Sequence, residues 1–199
     1  MNWGLLGRHV CAKILFFVGM PASATQVWLD ILQREPDDFR ALNSMGFSAM
    51  RSGNLVLALT YFERVAELVP YASNSHFNLA FVCEELGRLD DAEHGFRAAI
   101  EIEDTMDRAW YGLGLVLVRQ GRLEDAAVAL KRNTQLQPMS PFGWYQLARV
   151  HFDLHQADEA LAVICHLKGF EPKVAAQLER ETGLIPANDH LATSRSAGA

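Results

Sequence analysis

A step of 34 residues runs through the chain. Gly19, Gly53, Gly87 and Gly121 keep it, as do Ala12, Gly46, Ala80, Gly114 and Ala148, then Ala24, Ala58, Ala92, Ala126 and Ala160, then Pro36, Pro70, Pro138 and Pro172. A period of this length marks stacked helical hairpins, since a single hairpin cannot bury both of its faces and must lean on a neighbour. Within a period apolar residues recur at three and four, as in Leu42, Met45 and Ala49, then Ala58, Phe62 and Val65. That spacing predicts two amphipathic helices per period. The glycine between them permits the left-handed backbone that ends the first helix, and the proline stops the second. Gly46 and Ala58 are small where the paired helices approach, and Phe62 fills the gap beside them.

The clearest unit, residues 39–72, carries Leu42, Met45-Gly46, Ala49, Gly53, Leu55, Ala58, Phe62, Val65 and Pro70. The next two carry His76, Leu79-Ala80, Cys83, Gly87, Leu89, Ala92, Phe96 and Ala99, then Trp110, Leu113-Gly114, Leu117, Gly121, Leu123, Ala126 and Leu130. A further unit has Trp144, Leu147-Ala148, His151, Ala160, Ile164 and Pro172. These residues resemble the tetratricopeptide repeat (TPR), and the resemblance extends over residues 5–174. It implies an all-α protein, an α-α superhelix (TPR solenoid) of about five helix-turn-helix repeats plus a C-terminal capping helix. The expected organisation is one solenoid over 1–185, with a degenerate repeat at 5–38, repeats at 39–72, 73–106, 107–140 and 141–174, and a cap at 173–184. Residues 186–199, rich in Ala, Ser and polar side chains, are expected to be a flexible tail.

Three departures from the pattern carry expectations of their own. His155 stands where a turn glycine belongs, which predicts a looser turn. Asp104 replaces a proline and, followed by Thr105, can cap the next helix. Asn133 takes the place of a small residue.

Charge narrows the partners. The chain carries a net −6 with a pI near 5.6, so the counterion-release term that drives nucleic-acid binding is lacking. Cys11, Cys83 and Cys165 form no CxxC pattern and leave an odd one over, which fits a reducing compartment. The expected location is the cytoplasm of a bacterium. Residues 1–25 offer a competing reading: Arg8 and Lys13 precede the run from Ile14 to Met20 and then Pro21-Ala22-Ser23-Ala24, which imitates an export signal ending in A-x-A. Lys13 interrupts the apolar stretch that would otherwise continue from Val10 to Met20, and the repeat frame continues through it, which favours a degenerate first repeat. Cleavage after Ala24 would make the protein a periplasmic assembly factor. The apolar run is far short of the roughly 20 residues of a membrane span.

The resemblance implies that the first helix of each unit lines a concave groove that binds a peptide or helix of a partner protein. The expected contact residues are Asn43, Phe47, Phe77, Asn78, Phe81, Arg108, Tyr111, Leu115, Arg119, Tyr145 and Arg149. Phe77, Phe81, Tyr111 and Tyr145 would be apolar anchors, with Arg108, Arg119 and Arg149 steering acidic residues. Asn78 could hold a partner's backbone through its amide. Across all groove positions five arginines stand against Glu84, Glu85 and Asp153, so the expected partner is hydrophobic with some acidic residues. The same rings would serve equally to pack neighbouring units together or to self-associate. The carboxylate clamp with which some TPR proteins grip chaperone C-termini is matched only at Asn78, because Phe47 and Gly112 occupy polar or basic places of that clamp. Small acidic chains with this repeat also act as chaperones for hydrophobic secreted proteins, a second expectation.

Catalysis finds little support. His151 and His155 have metal-ligand spacing, with Cys165 and His166 as the only further ligands at hand, but they fall at a core place and at the turn, and no HExxH is present. No phosphate-binding glycine loop and no GxSxG elbow occurs. The expectation is a non-catalytic adaptor or scaffold without cofactor or metal.

Overall fold

The computed structural model describes residues 3–185, which hold eleven α-helices and no strand; the expected tail at 186–199 lies outside the described residues. The chain divides into two compact units, Met1–Asp104 and Thr105–Ala199.

The first unit consists of three hairpins: α1 (Trp3–Phe17) with α2 (Pro21–Arg34), α3 (Phe39–Arg51) with α4 (Leu55–Leu68), and α5 (Ser73–Glu85) with α6 (Leu89–Ile102). The second has two, α7 (Asp107–Arg119) with α8 (Leu123–Leu136) and α9 (Pro141–Asp153) with α10 (Ala157–Lys168), followed by α11 (Pro172–Thr182). Within each unit the second helix of a hairpin also packs on the first helix of the next, as α2 does on α3, α4 on α5, and α8 on α9.

Size matching sets how closely the helices approach. A Cβ on Gly46 would lie 2.6 Å from the ring of Phe62, and one on Gly114 would lie 2.7 Å from Leu130. The large side chain therefore sits directly over the glycine rather than beside it. Where the frame places Ala80 instead, the relief comes from the opposite helix: Gly95 has no Cβ to strike the Ala80 methyl. Asn133 is accommodated in the same way. It is buried, its Nδ2 donates to the Asp107 carbonyl at 2.8 Å, and its Oδ1 occupies the space where a side chain at Gly143 would begin.

Four hairpin turns use a glycine of positive φ, Gly19, Gly53, Gly87 and Gly121. The fifth corrects an expectation. His155 adopts φ 59°, and the turn is no looser: His155 N donates to Phe152 O at 2.9 Å and Gln156 N to His151 O at 2.9 Å, just as Gly53 N reaches Met50 O at 2.9 Å and Asn54 N reaches Ala49 O at 2.9 Å. The stack imposes the turn even on a residue that adopts it at a cost. Asp104 also differs from expectation. The N-cap of α7 is Met106, with no side-chain capping bond. Side-chain caps occur instead at Asp38, which accepts from Ala41 N at 2.8 Å, and at Asn54, which accepts from Leu57 N at 3.1 Å.

At the start of the chain α1 turns Ala12, Leu5, Leu15 and Phe16 toward the core built on Ala24, Trp28 and Ile31. His9 is buried beside it, with Nε2 3.1 Å from the capping carboxylate of Asp38.

Candidate functional site

In the first unit the groove face belongs to α1, α3 and α5. Two hollows open there, of about 450 and 300 Å³, and share Lys13 and Ser44. The larger is walled by Phe16, Phe17, Trp28, Phe47 and Arg51, and the smaller by Phe39, Arg40, Asn43, Asn74 and Asn78. Neither wall contains an acidic side chain. Arg51 lies over the Phe16 ring at 4.5 Å and Arg40 over Phe39 at 5.5 Å, so both guanidinium groups are within cation–π range of an aromatic face.

The expected residues separate by role. Phe47 is exposed in the groove, resting its edge on Phe62 at 5.4 Å. Phe77 is half-buried and anchored between Phe81 and Phe96, at 6.4 and 5.7 Å, so it is mainly a packing residue, while Phe81 keeps one face open. Asn78 is turned inward: it is 9% exposed and its Nδ2 donates to Asn43 Oδ1 at 3.0 Å. That bond ties α5 to α3 and holds the amide at the floor of the smaller hollow.

In the second unit a hollow of about 310 Å³ lies among Tyr111, Phe142, Tyr145, Gln146, Val174 and Gln177. A smaller one beside it, of about 230 Å³, includes Arg108, Tyr111 and Phe142. Tyr145 donates its hydroxyl to Glu181 at 2.7 Å, which fixes the ring against α11, and Arg149 stands over that ring at 5.8 Å. This bond raises the phenol's pKa above its ordinary value and holds the Glu181 carboxyl below its own. Leu115 is half-buried, whereas Arg108, Arg119 and Arg149 are exposed.

Two groove residues escaped the sequence reading, Lys13 and Phe17. The signal was present: Lys13 shares a frame position with Phe47, Phe81, Leu115 and Arg149, and Phe17 shares one with Arg51 and Arg119. In the export-signal reading the same two residues belong to the leader.

The catalytic candidates disperse. His151 is half-buried rather than a core residue, and its Nδ1 meets Gln156 Oε1 at 2.7 Å. Among the described residues no three His, Cys, Asp or Glu side chains gather as a metal site, and no helix is long and apolar enough to cross a membrane.

Comparison with known proteins agrees with this geometry. The tetratricopeptide-repeat model matches residues 45–107, and the model for the anaphase-promoting complex (cyclosome) subunit 3 matches residues 96–167. The chain belongs to the tetratricopeptide-repeat family. No curated protein matches it in sequence. Among solved structures, MamA from Desulfovibrio magneticus RS-1 is 20% identical with a TM-score of 0.74, covering 91% of this chain and 98% of that one. YrrB, a TPR protein described as having an unusual peptide-binding site, is 17% identical with a TM-score of 0.74, over 85% of this chain and 88% of that one. PilW, a type IV pilus biogenesis factor, is 18% identical with a TM-score of 0.77, over 100% and 94%. At these identities the likeness is one of fold, the all-α TPR superhelix. That fold is a protein-interaction scaffold, and the family is generally without enzymatic activity.

Proposed function

We propose that this TPR protein is a non-catalytic adaptor whose groove face binds a peptide or helix of a partner that combines apolar with acidic residues. The observation that carries the reading is the composition of the first unit's groove. Lys13, Arg40 and Arg51 stand among Phe17, Phe39 and Phe47, with no carboxylate in either wall. A cation over an aromatic face in a hollow free of acids is complementary to a carboxylate beside an apolar side chain. The second unit offers Tyr111, Phe142 and Tyr145 with Arg108 and Arg149 on the same kind of surface.

Selection of random peptides displayed on phage against the intact protein tests this. Enriched sequences should pair Asp or Glu with large apolar residues, and an Arg40→Glu, Arg51→Glu variant should lose the acidic preference. Enrichment of basic or uncharged sequences, or the same acidic sequences on the variant, would remove the reading.

A further inference from the structure

The face of α1 turned away from its hairpin is apolar and open. Val10 is 50% and Ile14 57% exposed, Cys11 and Gly7 are exposed beside them, and a Cβ added to Gly7 would meet nothing within 4 Å. The repeat frame identifies what this face is. In the columns of Gly7 and Ile14 later first helices carry Ala41, Ser75, Ala109 and Gly143, all buried, and Ser48, Val82, Val116 and Val150, the last three buried and Ser48 half-buried. Where the neighbour is seen, it is the second helix of the preceding hairpin. Thr25 of α2 meets Ser48 at 3.1 Å, Ser75 donates to the Val69 carbonyl at the end of α4, and Asn133 and Thr134 of α8 close over Gly143. The groove is a different surface, since neither Val10 nor Ile14 lines it.

The column of Arg8 adds a polarity. Its equivalents His76 and Trp144 direct ring nitrogens to the carbonyls of Pro70 and Pro138, at 2.7 and 2.9 Å, just past the ends of α4 and α8. Arg8 is half-buried at the same place on α1, where a cation suits the negative end of a helix dipole. Charge narrows the occupant further. Residues 1–29 contain Arg8 and Lys13 and no Asp or Glu; all 24 acidic residues of the chain begin at Asp30.

We propose that the outer face of α1 docks an amphipathic α-helix of a partner protein, seated as a preceding second helix would be, its apolar side on Gly7, Val10, Cys11 and Ile14, its acidic flank toward Lys13 and its C-terminal end at Arg8. A second copy presenting the same face would bring like charges together at Arg8 and Lys13, which opposes it. A lipid surface leaves unexplained a trough at Gly7 that matches the seat of a helix in three other hairpins. Residues 186–199 contain one leucine and no aromatic side chain, too little for an apolar stripe.

Cys11 reports on the face, and exposed Cys165 on α10 serves as the internal control. The probe is a synthetic helix of about 18 residues, roughly 27 Å long, with leucine and alanine on one side and glutamate along the flanks; its partner probe has lysine for glutamate. The glutamate helix should slow alkylation of Cys11 at least about tenfold at saturation without changing Cys165, and bind at least about tenfold tighter than the lysine helix, a difference of roughly 1.4 kcal/mol. Arg8→Glu should erase that preference, and Ile14→Glu should abolish protection while leaving the thermal melt unchanged. Phe47→Ala with Arg51→Ala, which damages the groove, should leave protection intact. The proposal is overturned if Cys11 is not protected, if both helices protect equally, or if Ile14→Glu retains protection. It is also overturned if Cys11 is shielded by raised protein concentration alone, or by vesicles of anionic lipid and not by the helix.

Discussion

The first and last helices meet solvent differently. α11 buries Ala175 and Leu178 and turns Lys173, Gln177, Arg180 and Glu181 outward, and it is fastened at its sides by Lys168 to Glu179 at 2.7 Å and by Tyr145 to Glu181. It ends at Gly183 in the left-handed conformation, whose N–H donates back to the Glu179 carbonyl. α1 buries His9 and Ala12 but leaves Leu6, Val10, Ile14 and Phe17 in solvent, with Phe17 92% exposed. A terminal helix closes a stack only when its outward face is polar. By that standard α11 is a lid, whereas α1 leaves an apolar face uncovered by any described residue.

Parallel substitutions test this contrast. Leu178→Ala in α11 should cost about 2–5 kcal/mol, the range for emptying a buried leucine site, while Ile14→Ala should stay within about 0.5 kcal/mol. Urea denaturation followed by circular dichroism measures both, and comparable losses would mean that α1 is covered in solution. Gly7 and Gly143 occupy one frame position and should respond with opposite signs. Gly143→Ala meets Asn133 and should destabilise by about 1–3 kcal/mol, with Asn133→Ala restoring part of the loss. Gly7→Ala meets nothing and should stabilise by up to about 1 kcal/mol through helix propensity.

Smaller effects are expected at the turns and at the lid's edge. His155→Gly should raise stability by about 1 kcal/mol by removing the strain of a left-handed side chain, and Gly19→Ala should lower it by a similar amount. Tyr145→Phe should let the Glu181 carboxyl climb toward its ordinary value, seen by carbon NMR titration. Because that carboxyl is held low in the folded protein, its contribution is present above the unfolded value and is lost as pH falls through the folded one. Protection of α11 amides, taken relative to their intrinsic exchange rates, should therefore fall on acidification in the wild type and change less with pH in Tyr145→Phe.

Much of the scaffold was legible because glycine, alanine and proline mark local needs: a positive φ, a close approach, a helix end. Gly46 could be read as small from its frame position alone. Asn133 could be seen as a departure, but its solution in Gly143 could not, because the two meet only when α8 lies on α9. The groove was legible by position and less so by role. Phe47 and Phe77 share the same residue type on the same kind of helix face, yet Phe47 opens into a hollow while Phe77 is clasped by Phe81 and Phe96.

Periodicity alone was enough to establish a stack of helical hairpins, since a 34-residue recurrence of small residues, glycine turns and prolines is satisfied by little else. Packing had to supply the rest. It forced His155 into a glycine's conformation, because the hydrogen bonds on both sides of the turn outweigh a local strain. It turned Asn78 inward, because an amide against Asn43 is satisfied there. And it exposed the apolar side of α1, because among the described residues no helix lies over the positions of Gly7 and Ile14, whose later equivalents are buried or half-buried.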